Sequence, residues 1–151
     1  MRPVAILIAW LAGALAAPAA LAQSMVIDCF APTDCRRAIG DAITPAFARA
    51  VPPAGHRLVV FGSVHRYSND RAAAYAVAGV SERVEHDGAD LTLLPLMRWS
   101  ASVPLDRPGV TEAEERQALD RAVRVAVDRM MQACARSPAC EVHMPYRGRR
   151  P

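Results

Sequence analysis

The sequence predicts a small α+β domain, in which two amphipathic helices pack on one face of an antiparallel sheet of three to five strands and two local disulfides hold the chain. Three observations lead to this fold class. Residues 57–103 contain three runs with strand character, a capping box and an apolar stripe mark a long helix after them, and four cysteines form two closely spaced pairs. The strands are expected to form a meander between the helices.

The first two predicted strands cover residues 57–67 and 72–84. The first is rich in β-branched and aromatic residues. The second begins with an alanine-rich stretch that also suits a helix, but its later part favours a strand through Tyr75, Val77 and Val80. Asp87-Gly88 then predicts a tight hairpin, because glycine tolerates positive φ.

The third predicted strand covers residues 91–103 and shows a period of two. Apolar side chains fall on one face of this run and polar side chains on the other, with Leu94 and Leu96 as exceptions. Pro95 donates no hydrogen bond to a neighbouring strand, which predicts an edge strand or a bulge at that position.

Two helices flank the meander. The first is expected over residues 34–50, with Thr33 as its N-cap and a kink at Pro45. The second begins at the capping box Thr111-Glu-Ala-Glu114, and acidic residues in its first turn complement the helix dipole. Each helix should pack antiparallel to the strand it is linked to, so the two helices should run roughly parallel.

This layout predicts the disulfide pairing. In parallel helices, Cys35 at the start of the first and Cys134 near the end of the second lie at opposite ends of the domain. A helix of about 24 residues spans about 36 Å, far beyond the roughly 7 Å between Cα atoms that a disulfide allows. The local bridges Cys29–Cys35 and Cys134–Cys140 are therefore expected.

Residues 1–22 have the pattern of a cleaved signal peptide: Arg2, an apolar stretch, Pro18, and the small residues Ala20-Leu21-Ala22 before Gln23. Residues 23–151 should then form a single exported domain, periplasmic or secreted, with no stable membrane insertion after cleavage. The whole chain has a net charge of +3, and loss of Arg2 leaves +2. This near balance gives no support to nucleic-acid binding.

The sequence contains no motif for catalysis, for a metal or for a cofactor. No catalytic residue, metal site or cofactor is therefore predicted. Binding residues are sought instead on the meander. His65 alternates with Phe61, Ser63 and Tyr67 and is expected to share a strand face with them. The predicted binding residues are His65, Tyr67, Arg66 and Arg98.

Three functional hypotheses follow. The leading one is a non-catalytic binding or accessory protein that engages a cell-envelope protein or glycan through an open sheet face or an edge strand. The second is a small exported hydrolase or metal-dependent enzyme built around His65. The third is an exported inhibitor or immunity-type protein, in which the disulfide-closed loop at residues 30–34 enters a partner's active site.

Overall fold

The computed structural model describes residues 25–92, 94, 95 and 97–136. These residues form an α+β domain with one five-stranded sheet. The strands are β1 (Val26–Phe30), β2 (His56–Ser68), β3 (Arg71–His86), β4 (Ala89–Thr92) and β5 (Trp99–Asp106). The helices are α1 (Cys35–Ile39), α2 (Pro45–Ala50) and α3 (Glu112–Arg136), with a 3-10 turn (Gly40–Ala42) after α1. The predicted α+β class is confirmed.

The sheet is mixed, so the prediction of a purely antiparallel sheet is wrong. β2 pairs antiparallel with β3, but β1 pairs parallel with β2. The physical reason lies in the connection from β1 to β2, which carries α1 and α2. A helical crossover of this kind returns the chain to the end of the sheet where β1 began, and the next strand then runs parallel to the first.

β3 is the longest strand and pairs along both of its edges. One edge pairs with β2, and the other pairs with β5 over its first half and with β4 near its end. The alanine-rich run at residues 72–78 is therefore a strand, because neighbours on both sides satisfy its backbone groups. The predicted hairpin is present too, with φ of 53° at Asp87 and 76° at Gly88 between β3 and β4.

The third predicted strand is divided into β4 and β5 by an intervening segment, residues 93–98, which we call the strap. Leu93 and Leu96 in it lie outside the described residues. The strap crosses β3 at Gly79: a Cβ built on that glycine would lie 2.5 Å from Cβ of Pro95 and 2.7 Å from the carbonyl oxygen of Met97. Pro95 is buried there. It thus interrupts strand pairing, a stronger effect than the predicted bulge.

The first predicted helix is also divided, into α1 and α2. Asp34, not Thr33, caps α1 by accepting a hydrogen bond from the backbone N–H of Arg37 at 3.1 Å. Thr44 caps α2, in which Pro45 takes the first position. Proline suits that position because no helical partner exists there for the N–H it lacks. Pro45 therefore begins a new helix and does not kink a continuous one.

α3 covers one face of the sheet and packs against β2, β3 and β5. Its predicted capping box is present. The Glu114 carboxylate accepts a hydrogen bond from the backbone N–H of Thr111, and the Thr111 hydroxyl accepts one from the backbone N–H of Glu114. Small side chains line both sides of the helix–sheet contact, namely Ala72, Ala74, Ala76 and Ala78 of β3 and Ala118, Ala122 and Ala126 of α3. No helix in the described part of the chain has the length and hydropathy needed to cross a membrane.

The helices run in the predicted relative direction. Thr33, just before α1, hydrogen-bonds Asp120 of α3, and Arg124, one turn further along α3, donates to the carbonyl of Ala38. The predicted bridge Cys29–Cys35 is confirmed, with 5.9 Å between the Cα atoms. The bridge Cys134–Cys140 stays a prediction, since Cys140 lies outside the described residues.

Replacing Gly79 with alanine is predicted to destabilise the domain. The new methyl group would overlap the backbone oxygen of Met97 as well as Pro95, so a side-chain rotation cannot relieve it. We expect a loss of about 1–3 kcal/mol in the free energy of unfolding, measured by urea titration of Trp99 fluorescence. Gly55→Ala is the matched control, because its added Cβ meets nothing within 4 Å. Equal urea midpoints for the two variants would mean that the strap does not press on β3.

Candidate functional site

The two faces of the sheet have different environments. One face, with Leu58, Val60, Gly62 and Val64 of β2, lies against the helices: a Cβ built on Gly62 would be 3.0 Å from Leu119 of α3. The opposite face carries the odd-numbered residues of β2 and β3, because side chains alternate along a strand. Near Gly79 the strap covers this second face, and further along β2 it is open.

The open part of this face carries a group of exposed rings. We call it the aromatic face and define it by Phe30, Phe61, His65, Tyr67 and Tyr75. The rings of Phe30 and Phe61 stack with their centroids 5.0 Å apart, and those of His65 and Tyr75 meet edge to face at 5.9 Å. Three of these side chains are among the most exposed large hydrophobic residues described, at 51% (Phe30), 64% (Tyr67) and 42% (Tyr75).

Hydroxyl groups lie between the rings. The Tyr67 and Tyr75 hydroxyls are 3.2 Å apart and hydrogen-bonded, which raises the pKa of Tyr67. Ser63 Oγ lies 2.8 Å from Nε2 of His65. Ser63 is also opposite Tyr75 in the strand register, and Tyr75 is opposite Ser102 of β5. Rings and hydroxyls therefore alternate across three adjacent strands.

A charged cluster lies on the same side of the sheet, toward the start of β2. Arg57, only 3% exposed, donates to Asp28 at 2.8 Å and to Thr92 at 3.0 Å, and pairs with Asp90. Arg83 pairs with Asp90 from a more exposed position. Burial lowers the pKa of Arg57, but the hydrogen bonds and charges of Asp28 and Asp90 outweigh this effect and raise it overall. The cluster therefore ties β1, β2 and β4 together by charge.

Removing the Arg57 charge is predicted to lower the free energy of unfolding more than removing the Arg83 charge does. Arg57→Met leaves Asp28 and Asp90 without the cation they share. We expect a loss of about 2–4 kcal/mol in unfolding free energy, near the low end for a broken buried ion pair because Asp90 is partly exposed. Arg83→Met should stay within about 0.5 kcal/mol of the unmodified protein. Urea denaturation measures both, and similar losses would show that burial of Arg57 does not strengthen the cluster.

The predicted binding residues do not form one site. His65 and Tyr67 both lie on the aromatic face. Arg66 points to the opposite face, where it pairs with Glu115 and donates to the carbonyl of Val110. Arg98 donates to the carbonyl of Pro95 within the strap. The structure thus joins His65 and Tyr67 with Tyr75. It places Arg66 on the other face of the sheet.

The loop closed by the Cys29–Cys35 bridge is anchored to the domain at two points. Phe30 stacks on Phe61, and Thr33 hydrogen-bonds Asp120. Its exposed ring therefore belongs to the aromatic face.

Two surface cavities are found away from the aromatic rings. One, of about 470 Å³, is lined by Ala54, Arg83, Glu85, Gly88 and Asp90 near the β3–β4 hairpin. The other, of about 330 Å³, lies between α3 and the turn before α2. Among the described residues, no group of three or more histidine, cysteine or acidic side chains is placed to hold a metal ion.

Sequence reasoning found part of the aromatic face and missed the rest. The period of two already placed Phe61, Ser63, His65 and Tyr67 together. Tyr75 and Phe30 were missed because their positions depend on the β2–β3 register and on the parallel pairing of β1. The same period placed Arg66 on the other face, and this signal could have removed it from the predicted site.

Comparison with known proteins assigns no family. No protein-family model matches the chain, and no curated protein matches it. Among solved structures, one match is a crystal structure of a "putative lipoprotein" from Caulobacter crescentus CB15. It is 16% identical, covers 81% of this chain and 95% of that chain, and has a TM-score of 0.42. A likeness this distant carries no argument about function.

Proposed function

We propose that this is a non-catalytic exported binding or accessory protein that engages a cell-envelope protein or glycan through the aromatic face. The observation that carries the proposal is the exposure of several rings together on the sheet face opposite the helices. Single exposed apolar residues are normal on protein surfaces, whereas grouped ones mark interaction sites. Their position on strands also holds them more rigidly than a loop would.

The edge strand β5 is a poorer candidate for the binding surface. Pro104 lies within β5 and cannot donate a backbone hydrogen bond to an added strand. Arg129 of α3 donates to the carbonyl of Ser100 at 2.7 Å and so occupies an acceptor on β5. Both features are typical of sheet edges protected against pairing with another chain. The face is therefore favoured over this edge.

Export is supported by residues 1–22 and by the disulfide. The signal-peptide pattern ends at Ala22-Gln23. The Cys29–Cys35 bridge is of the kind that persists in oxidising compartments such as the periplasm. We accordingly propose that the mature protein starts at Gln23 and acts in the periplasm or outside the cell.

Capture from a native cell-envelope extract tests this proposal. The bait is the full-length chain expressed in a Gram-negative host and recovered from the periplasm, where N-terminal sequencing should start at Gln23. Envelope components should bind it, and Phe61→Ser/Tyr75→Ser should lose most of that binding because two rings of the face are removed. Val125→Ser is the matched control, since it removes an exposed apolar side chain from α3.

Two outcomes would contradict the proposal. Equal capture by the double variant and the Val125→Ser control would show that the aromatic face is not the binding surface. Recovery of only the unprocessed chain, in the cytoplasm, would contradict export.

One observation favours a second candidate, a small exported hydrolase. Ser63 Oγ and His65 Nε2 are 2.8 Å apart, within the range of a nucleophile and its general base. Within the described residues no carboxylate hydrogen-bonds to His65, so nothing orients the imidazole as in a complete triad. The pair is therefore a weaker basis for function than the ring group.

Labelling with a fluorophosphonate probe separates these two candidates. A hydrolase of this type predicts labelling of Ser63 that disappears in His65→Ala, because the serine then lacks its base. The binding proposal predicts no labelling of Ser63 in either protein. Adduct position is determined by peptide mass spectrometry, with Ser102→Ala as a control for an unrelated hydroxyl on the same face.

A further inference from the structure

The aromatic face is almost free of charge, and this restricts its ligand. The strand registers place eleven side chains on the open part of this face, between the charged cluster at one end and Arg71 at the other. They are Phe30, Phe61, Ser63, His65, Tyr67, Ala73, Tyr75, Val77, Ser100, Ser102 and Pro104. None of them is an acidic side chain, a lysine or an arginine. At the far end, Arg71 lies opposite Asp106 in the strand register, so the two charges there compensate each other.

Two arginines of β2, Arg57 and Arg66, are held away from the rings by ion pairs. Arg57 is buried in its cluster with Asp28 and Asp90, and Arg66 is engaged with Glu115 on the helix side. Recognition of a carboxylate or phosphate requires a cation with free donors facing the ligand. Among the described residues, the five that define the aromatic face include no arginine or lysine, and Arg71 beyond them lies opposite Asp106, which disfavours an anionic ligand.

The same face is rich in hydroxyl groups. Ser63, Tyr75 and Ser102 form one row across β2, β3 and β5, and Tyr67 adds a further hydroxyl beside Tyr75. Burying a hydroxyl against an apolar surface without a new hydrogen bond costs free energy. A fully apolar partner would offer these hydroxyls nothing beyond the bonds they already make, Ser63 with His65 and Tyr67 with Tyr75. A ligand that carries its own hydrogen-bonding groups is therefore favoured.

An extended peptide that lies on the face itself, across the strands, meets the hydrogen-bonding requirement poorly. Its backbone N–H and C=O groups need partners along their whole length. A sheet offers such a continuous series at its edge and not on its face, and the β5 edge is protected by Pro104 and Arg129. Neutral sugar rings fit better, because they combine an apolar C–H face with hydroxyls and carry no charge.

We infer that the ligand of the aromatic face is an uncharged glycan chain. Its C–H faces stack on Phe61, Tyr75 and Tyr67, and its hydroxyls hydrogen-bond to Ser63, the tyrosines and Ser102. From residue 61 to residue 67 the strand extends about 20 Å, longer than one sugar ring. The contact between Phe30 and Phe61 holds both rings in place before binding, which lowers the entropic cost. This inference rests on the proposed function.

Titration calorimetry with defined hexasaccharides tests the inference. The uncharged probes are cellohexaose, maltohexaose and the hexamer of N-acetylglucosamine, and the anionic probe is the galacturonate hexamer. The oxidised mature protein should bind an uncharged probe with an affinity that is insensitive to salt, because no ion pairs form. The galacturonate hexamer should bind at least about tenfold more weakly.

Variants separate ring stacking from hydrogen bonding. Tyr75→Ala should weaken binding about tenfold or more, while Tyr75→Phe keeps the ring and should lose less. Val125→Ser should bind like the unmodified protein, and Trp99 fluorescence under urea shows that each variant is folded. Equal affinity of Tyr75→Ala and the unmodified protein would overturn the inference.

The remaining outcomes distinguish this inference from the proposed function. Binding of only the galacturonate hexamer, or of no hexasaccharide, overturns the inference that the ligand is an uncharged glycan. The proposed function survives that result if envelope capture still depends on Phe61 and Tyr75. If capture is also unaffected by Phe61→Ser/Tyr75→Ser, the proposed function fails as well.

Discussion

The close contact between the alanines of β3 and those of α3 determines much of this structure. Four alanines in alternate positions of the strand and three alanines of the helix are buried in the same core, between two elements that pack together. Small side chains on both sides bring the helix backbone near the sheet, and larger residues such as Leu119 and Met130 fill the remaining space. Because α3 packs on β2, β3 and β5, this contact commits one face of these three strands to the core. It also decides which side chains remain outside.

The strap then divides the other face into two parts. Where Pro95 lies over Gly79, Val59 and Ser81 are buried although no helix covers them. Arg57 is buried in the same region, and its three polar partners come from β1 and β4. One row further along β2 the face opens at Phe61. The strap therefore confines the exposed rings to the part of the face beyond it, and places the charges in a separate, internally compensated cluster.

Local sequence signals predicted the features that depend only on neighbouring residues. The capping box at Thr111 and Glu114, and the turn at Asp87-Gly88, are present as expected because their hydrogen bonds or backbone angles are set within four residues. The kink predicted at Pro45 was wrong, because the first helix ends at Ile39 and Thr44 caps a separate helix that begins at the proline.

Features that depend on long-range pairing were not predictable in the same way. Parallel pairing of β1 follows from how the crossover through α1 and α2 closes, and no residue in β1 signals it. The path of the strap was not predictable, because Pro95 crosses β3 where Gly79 has no side chain to block it. These two residues are 16 positions apart in sequence. The aromatic face combines both cases: the period of two along β2 predicted that Phe61, His65 and Tyr67 share a face, and strand register adds Tyr75 and Phe30.

The position of the disulfide has a consequence for when the ring surface becomes complete. Cys29 immediately precedes Phe30 at the end of β1, and its bond to Cys35 fixes the point at which the chain turns from the sheet into α1. Without this covalent link, Phe30 would be held against Phe61 by the pairing of β1 with β2 alone. For a protein exported as proposed, oxidation is thus a maturation step that finishes the ligand surface only after the chain has reached the compartment where its ligand is found.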